Sequence, residues 1–435
     1  MKLAFIDKTG CLHSVVWTVF KEGHDVLYWI QEKDYQKIGN GLVEKADSEK
    51  EIVDFHPDIV YVYKDPRKVL SLTGKHLTAF GSSLYASKLE DERFYAVSLA
   101  DKYGIQIPRT FQFTNVEDAK SFLKTQEGKT RRGWVFKVSK GETDASTTHV
   151  TESKEHLHSV LDYEQSTDHA KSFILQERIE GIEISIEGWF DYRLPPPDGP
   201  WIKPINSTLE RKRLMSGDNG PMIGCMGSIV WAWPSVSTKL FRQTLEKITP
   251  HLKEIKYVGP LDGNFIIDYK TKVPYFLEWT PRLGWNAFEA FMYGLSSSTL
   301  GEFLVRLGSG ELTKYAFHDN YLSGVRLFAP QAINMPIFAP YQEDKRLFPK
   351  DVWYDTKDDT LKTVGTGGPN SLTCIMEACS SGYTIKGCMN TVYENVIPQV
   401  TVTDLTFRND IGEQAIKDVE LLEAWGYLTK KDFSH

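Results

Sequence analysis

Two cations, Lys212 and Arg213, stand just ahead of a glycine-rich stretch running from Gly217 to Ser228, where together they could hold an anion. The stretch reads Gly-Asp-Asn-Gly-Pro-Met-Ile-Gly-Cys-Met-Gly-Ser. Its glycines and its proline argue against a helix interior or a long strand, so a loop is expected. Gly220, Gly224 and Gly227, with Pro221 and Met226 between them, would let backbone amides approach a ligand closely. Asp218 is the only charged side chain in the stretch. A tight surface turn would use the same residues. Lys137 closes the apolar run Trp134-Val135-Phe136. A lysine there can offer a point charge to a phosphate, or can simply be an exposed strand end. Further on, alternation puts Asn264, Ile266 and Asp268 on one face of a strand and Phe276, Glu278 and Thr280 on one face of the next. A five-residue loop, 269–273, would set Asn264 opposite Glu278, with Arg282 just beyond.

These residues need elements to position them. Residues Lys2–Ile6, Asp25–Ile30 and Asp58–Tyr63 read as strands, the last suited to a buried parallel sheet. A helix is expected over Ser87–Tyr103, closed by Gly104. Strands at Trp134–Val138, Phe173–Arg178 and Ile182–Glu187 follow a helix near Val116–Lys124. In the strand Ile182–Glu187, isoleucines alternate with Glu183, Ser185 and Glu187, giving one apolar and one polar face. Pro195–Pro200 must be an irregular loop. A helix over Ser237–Ile255 precedes the hairpin formed by Gly263–Asp268 and Val273–Trp279. Another helix is expected near 387–398. The Val364–Pro369 run has glycines too few and too local for a phosphate site. The pattern is α/β and α+β. An N-terminal open parallel sheet spans 1–104 and a central domain spans 105–320, with a lid at about 110–190. A C-terminal α+β domain spans 321–435.

Bulk properties narrow the class. A chain of 435 residues, 41% apolar and 25% charged, is ordinary for a soluble protein of two to four domains. A net charge of −7 argues against a general nucleic-acid surface. There is no apolar run of membrane-spanning length, and the first residues read as a strand rather than a secretory signal. Five cysteines without a Cys-x-x-Cys pair suggest reduced, buried thiols in a cytoplasmic protein, and no histidine completes a zinc spacing.

The run Lys212-Arg213, then Asp218-Asn219-Gly220-Pro221, Gly224 and Met226-Gly227, resembles the central signature of the phosphoribosylamine–glycine ligase family of the ATP-grasp superfamily. Other similar segments follow the family's order: Phe80–Ser83, Trp134–Lys137, Leu175–Glu183, Tyr275–Glu278 with Arg282, and Phe407–Gly412. The resemblance implies an ATP-grasp fold and purine-biosynthesis-like ligase chemistry. A carboxylate is activated by ATP as an acyl phosphate, and an amine then displaces phosphate. It places Lys137 at the nucleotide phosphates, Glu177 and the backbone near Ile179 at adenine, and Glu183 at the ribose hydroxyls. Lys212, Arg213, Asp218 and Arg282 become catalytic candidates, and the 217–228 loop faces the carboxylate or acyl phosphate. Magnesium, with manganese as a substitute, would be held by Glu278, Asn264 and Thr280. The expected partners are small carboxylate and amine substrates, and the expected state is a monomer or homodimer.

Two departures from the family bear on substrate, and two more bear on the nucleotide lid and the metal. Asp7-Lys8-Thr9-Gly10-Cys11-Leu12-His13 replaces a Gly-Arg-Glu-His-containing motif. Trp285-Asn286-Ala287 replaces Asp-Pro-Glu. The lid Lys140–Thr148 is longer and rich in hydroxyls, and Thr280 stands where Asn is usual. A ligase with an altered amine substrate is therefore the leading expectation. A true phosphoribosylamine–glycine ligase and an inactive nucleotide-binding protein are the alternatives.

Overall fold

The computed structural model describes residues 1–139, 148–167, 171–197, 199–233, 238–284, 286–330, 333–365 and 372–428. The expected lid segment 140–147, Trp285 and most of the 364–369 run lie outside the described residues.

The N-terminal sheet is parallel, with strand order β3-β2-β1-β4-β5. Its strands are β1 (Lys2–Asp7), β2 (Asp25–Ile30), β3 (Lys45–Ala46), β4 (Ile59–Val62) and β5 (Ala79–Gly81). Every residue of β4 is buried, as a parallel strand covered on both faces requires. Helices α1 (His13–Lys21), α2 (Glu49–Asp54) and α3 (Pro66–Gly74) connect these strands. Ser48 and Asp65 cap α2 and α3 by accepting from backbone amides.

The helix expected over Ser87–Tyr103 is two helices, α4 (Leu84–Asp91) and α5 (Arg93–Lys102). Glu92 leaves helical geometry at φ −121° and ψ 81°. The amide of Arg93 donates to the Ser139 carbonyl at 3.0 Å. A tertiary anchor at this point turns α5 away from the line of α4.

A four-stranded antiparallel sheet, ordered β6-β9-β7-β8, follows. It comprises β6 (Thr110–Phe113), β7 (Trp134–Val138), β8 (Thr148–Val150) and β9 (Phe173–Glu177), with α6 (Val116–Phe122) and α7 (Lys154–Glu164). Its core joins Trp134, Phe136, Phe173 and Leu175 to Leu157 and Leu161 of α7.

The largest sheet has eight strands, ordered β14-β13-β10-β11-β12-β15-β20-β17. Its central-region strands are β10 (Gly181–Asp191), β11 (Trp201–Met215), β12 (Asn219–Trp233), β13 (Val258–Asp268) and β14 (Pro274–Thr280). The later chain supplies β15 (Tyr321–Pro330), β16 (Pro336–Ile337), β17 (Leu347–Pro349), β18 (Val352–Asp355), β19 (Thr360–Thr363) and β20 (Leu372–Gly382). Of these, β15, β17 and β20 extend the central sheet, while β16, β19 and β18 form a small sheet of their own. Residue 320 is therefore not a sheet boundary.

The helix expected over Ser237–Ile255 is α8 (Lys239–Gln243) followed by α9 (Leu245–Glu254). Thr244 breaks it at φ −130° and ψ −95°, its hydroxyl donating back to the Leu240 carbonyl. Next come α10 (Ala287–Gly294), α11 (Leu300–Ser309), α12 (Ile385–Thr391) and α13 (Ile411–Ala424). The helix expected near 387–398 starts earlier, as α12, then widens and tightens irregularly to Gln399 around Pro398.

The glycine-rich stretch is where the sequence reading fails. It is not a loop but most of β12, a fifteen-residue strand. Gly220 and Gly224 take φ of 76° and 88°, and the pairing with β11 shifts register twice, between Arg211 and Met215. Left-handed glycines let the strand bulge and continue. Pro221 lies before Gly227, where pairing with β15 begins, so no second neighbouring strand asks it for an amide donor. A β-carbon on Gly227 would come within 2.9 Å of the Gly324 carbonyl oxygen.

Cys225, Cys374, Cys379 and Cys388 are buried free thiols. No helix among the described residues is long and apolar enough to cross a membrane.

Candidate active site

Three cations, Lys137, Arg93 and Lys212, and three carboxylates, Glu183, Glu210 and Glu278, meet where the central sheet faces β7. Lys137 of β7 is buried rather than exposed, and its Nζ donates to Gln176 Oε1 at 2.9 Å. Desolvation lowers its pKa to about 8, helped by the charges of Arg93 and Lys212 and opposed by Glu278 and Glu183. Lys212 of β11 reaches Glu183 at 2.5 Å, Glu210 at 3.8 Å and Glu278 at 3.9 Å. Arg93, at the start of α5, donates to Glu278 at 3.1 Å. Desolvation raises the Glu278 carboxyl, but Lys212, Arg93, Lys137 and Arg282 outweigh it and hold it at about 2. Glu278 therefore stays ionised across the physiological range, and its side chain remains 37% accessible.

The hairpin β13–β14 sets this carboxylate in place. Asn264 pairs with Glu278 and Asp262 with Thr280, as the expected register required for the first pair. The alternation does not hold throughout, because a register shift between Asn264 and Phe265 leaves Phe276 paired with Phe265. Phe276 accordingly packs in the core, while Glu278 faces the site.

The polar face foreseen on β10 is enclosed rather than solvated. Ser185 and Glu187 are buried, and Glu187 lies in register with Asn206 on one side and Asp262 on the other. Burial lifts Glu187 to about 7, against the hydrogen bond from Asn206 and with the added charge of Glu210. Glu210 is likewise lifted to about 7 by desolvation, with Lys212 opposing it and Glu183 and Glu278 adding to it. Burial also raises Asp262 well above the usual carboxyl range, with Glu187 and Glu210 contributing. Sequence reasoning missed Asp262, Glu187, Glu210, Arg93 and Gln176. Alternation on a strand already singled out could have found Asp262, two residues before Asn264. Nothing in local spacing marks Arg93.

Other expected residues are engaged elsewhere. Arg282 spends its guanidinium on Glu90, at 2.9–3.0 Å, and on the Tyr63 hydroxyl at 3.0 Å. Glu90 also receives Lys64. Glu177 accepts two bonds from Arg109 and one from Thr130. The Ile179 side chain is buried. Arg213 and Asp218 do not join Lys212. Arg213 donates to the Gly220 carbonyl across the hairpin, and Asp218 pairs with the buried Arg408 at 2.8 Å. Gly220 and Pro221 are exposed near the tip of the β11–β12 hairpin, Gly224 is partly covered, and Met226 is fully buried. The altered N-terminal segment is a closed turn: Asp7 accepts from the amides of Gly10 and Leu12 and from the Tyr28 hydroxyl.

Residues 91–286 match a family described as phosphoribosylglycinamide synthetase, ATP-grasp (A) domain. These residues share the ATP-grasp fold. The chain is 25% identical over 324 residues to a phosphoribosylamine–glycine ligase of Rhizobium meliloti, covering 69% of this chain and 72% of the relative. It is 24% identical over 375 residues to the bifunctional purine biosynthetic protein ADE5,7 of Saccharomyces cerevisiae, covering 79% of this chain. The chain spans only 44% of that relative's length. The crystal structure of a phosphoribosylamine–glycine ligase from Thermotoga maritima aligns with a TM-score of 0.69 at 20% identity, over 94% of this chain and all of that one. That likeness is one of fold.

An ATP-grasp domain implies magnesium carried with the nucleotide. Among the described residues, no group of three or more His, Cys, Asp or Glu is placed to enclose a metal ion. The described residues therefore hold no complete protein cage. Glu278 is accessible, and Asn264 opposite it turns its amide nitrogen to Asp262 at 3.1 Å, leaving its amide oxygen for another partner. Magnesium that keeps phosphate and water oxygens needs one or two protein ligands, and this donor set fits that demand. Arg93 and Lys212 would then share Glu278 with the ion.

Proposed function

We propose that the chain is an ATP-dependent carboxylate–amine ligase of the phosphoribosylamine–glycine ligase type, acting on an altered amine. The observation that carries this reading is the convergence of Lys137, Arg93 and Lys212 on Glu278 within the matched ATP-grasp segment. Three cations around one accessible carboxylate suit a polyphosphate better than they suit a structural ion pair, which needs one partner.

Under this reading a substrate carboxylate attacks the γ-phosphorus of ATP, giving an acyl phosphate and ADP. The amine nitrogen then attacks the acyl carbon, the carbon–oxygen bond to phosphate breaks, and the nitrogen gives up a proton. Lys137, Arg93 and Lys212 offset the charge on the transferred phosphoryl group. Glu278 and the Asn264 oxygen would hold magnesium, which when bound neutralises phosphate charge and orients the transferred group. Glu183, 38% accessible on its side chain, is the carboxylate available for two vicinal hydroxyls of the ribose. Arg282, locked on Glu90, acts on this reading by fixing the approach of α4 to the hairpin rather than by touching phosphate.

The absent Gly-Arg-Glu-His run, replaced by the closed Asp7 turn, supports a changed amine. Purified protein given phosphoribosylamine, glycine, ATP and magnesium should form little or no glycinamide ribonucleotide. A site built for lost polar contacts rejects strongly. Robust product formation would restore the unaltered activity.

A further inference from the structure

A second polar group gathers on the same sheet face, two strands beyond Glu210. Glu210 pairs with Ser228, Ser228 with Gly324, and Gly324 with Cys379. Over Gly324 two side-chain tips converge. A β-carbon there would lie 2.8 Å from Glu377 Oε1 and 3.0 Å from Asn286 Nδ2. Glu377 is 0% exposed, Asn286 1% and Glu289 2%. Among the described residues, both Glu377 oxygens, Glu289 Oε2 and Asn286 Nδ2 lack a hydrogen-bond partner. Asn286 stands at the start of α10 with φ 64° and ψ −53°, yet its side chain does not cap the helix. It faces the sheet instead, with Cys225 Sγ 3.7 Å from its oxygen.

The open atoms are unequal in kind. Three are acceptors and one is a donor. Arg326 approaches Glu377 only to 4.0 Å and gives a hydrogen bond to the Cys225 carbonyl. Lys350 and Ser14 are both bonded to the other oxygen of Glu289. What would complete the group is positive and rich in N–H donors. Burial raises the Glu377 carboxyl well above its usual range, a shift that a cation bound beside it would offset, whereas a phosphate would meet the ionised Glu289 and be repelled.

We propose that this seat binds the amine substrate through a second, positively charged nitrogen group, an ammonium or amidinium, with Glu377 as its main acceptor. The proposal rests on the ligase reading above and names the substrate class of that reaction: an amine carrying a further cationic group, not a sugar phosphate. The attacking nitrogen is neutral when it reacts, so the charged group held by Glu377 is distinct from it. The polar row from Glu210 to Gly324 links this seat to the nucleotide centre.

Thermal unfolding of the full chain with magnesium and a non-hydrolysable ATP analogue tests it. Agmatine and putrescine are compared with O-phosphoethanolamine and ethanolamine as added probes. The two dications should raise the unfolding midpoint most, ethanolamine with its single ammonium less, and O-phosphoethanolamine not at all. Glu377→Gln and Gly324→Ala should each weaken dication binding by about 30-fold or more, while keeping the shift caused by the nucleotide analogue. That retained shift shows that the variants are folded. The proposal is overturned if O-phosphoethanolamine is preferred, or if Glu377→Gln binds dications as the parent does. It is also overturned if neither dication binds a protein that still binds the analogue. If the analogue itself fails to bind, the ligase reading falls, and this inference with it.

Discussion

Lys137 is buried against Gln176, so its role is best tested by a residue that fills the same space. Lys137→Met should leave the fold intact and weaken ATP use by about one to two powers of ten, the worth of a charge-assisted contact of roughly 1.5–3 kcal/mol. Steady-state kinetics in ATP check this, and parent-like ATP kinetics would remove Lys137 from the site. Its pKa near 8 also gives the binding a sign. Bound phosphate would raise that pKa, so ATP affinity should be full below pH 8 and fall as the pH rises through it. Calorimetry on both sides of pH 8 should show this loss in the parent, and a flatter dependence in Lys137→Met. Glu278→Gln should abolish turnover while leaving nucleotide binding largely in place, because the ribose and adenine contacts expected at Glu183 and β9 do not use its carboxylate. Thr280→Asn should lower the magnesium needed for half-maximal ADP release, since a fixed amide oxygen serves a hard cation better than a hydroxyl. An unchanged magnesium curve would place Thr280 outside the ligand set. At this scale alternation set Asn264 opposite Glu278, residue chemistry singled out Lys212, and the family resemblance singled out Lys137 and Glu183; the fold brings these five residues close together. The sequence was silent on Arg93 and Glu210, whose importance comes only from what the fold brings beside them.

The hairpin β11–β12 shows how an element can hide behind its composition. Gly220, Gly224 and Pro221 look like breakers, yet two register shifts absorb them and the strand runs on. Propensity lost to pairing: β12 is held by β11 on one side and, from Gly227 onward, by β15 on the other. The result divides neighbours that the sequence sets side by side. Lys212 enters the site, whereas Arg213 and Asp218 fasten the tip, which Arg408 and Asp410 hold from the segment before α13. Gly227 is the closest fit in the element. Gly227→Ala would push a methyl against the Gly324 carbonyl and Ile411, and should destabilise the protein by about 1–3 kcal/mol. Urea unfolding measures this directly, and an unchanged midpoint would mean that β12 and β15 are free to separate. The split of the expected helix between α4 and α5 has the same origin. Local periodicity favours one helix, but the bond from Arg93 to Ser139 ends it and aims Arg93 at Glu278.

In the whole molecule, one eight-stranded sheet joins the ATP-grasp segment to the C-terminal region, and its polar face runs from Glu278 to Glu377. The α/β class, the open parallel sheet and most strand positions were legible from apolar runs and alternation. The merging of β15, β17 and β20 into the central sheet was not, because register between distant strands leaves no local mark. The N-terminal region reaches the same face through Ser14, which donates to Glu289 at 2.7 Å, and it also holds α11, whose first amides donate to the Glu22 carboxylate. Substrates held between these parts would be shielded from water, as an acyl phosphate requires. The most direct test of ligase function is ADP release by the purified protein, measured with ATP, magnesium and a panel of carboxylates and amines. Release should need both a carboxylate and an amine, and should fall in Lys137→Met and vanish in Glu278→Gln. A protein that binds ATP but releases no ADP with any pair, or releases it equally without an amine, would contradict the assignment.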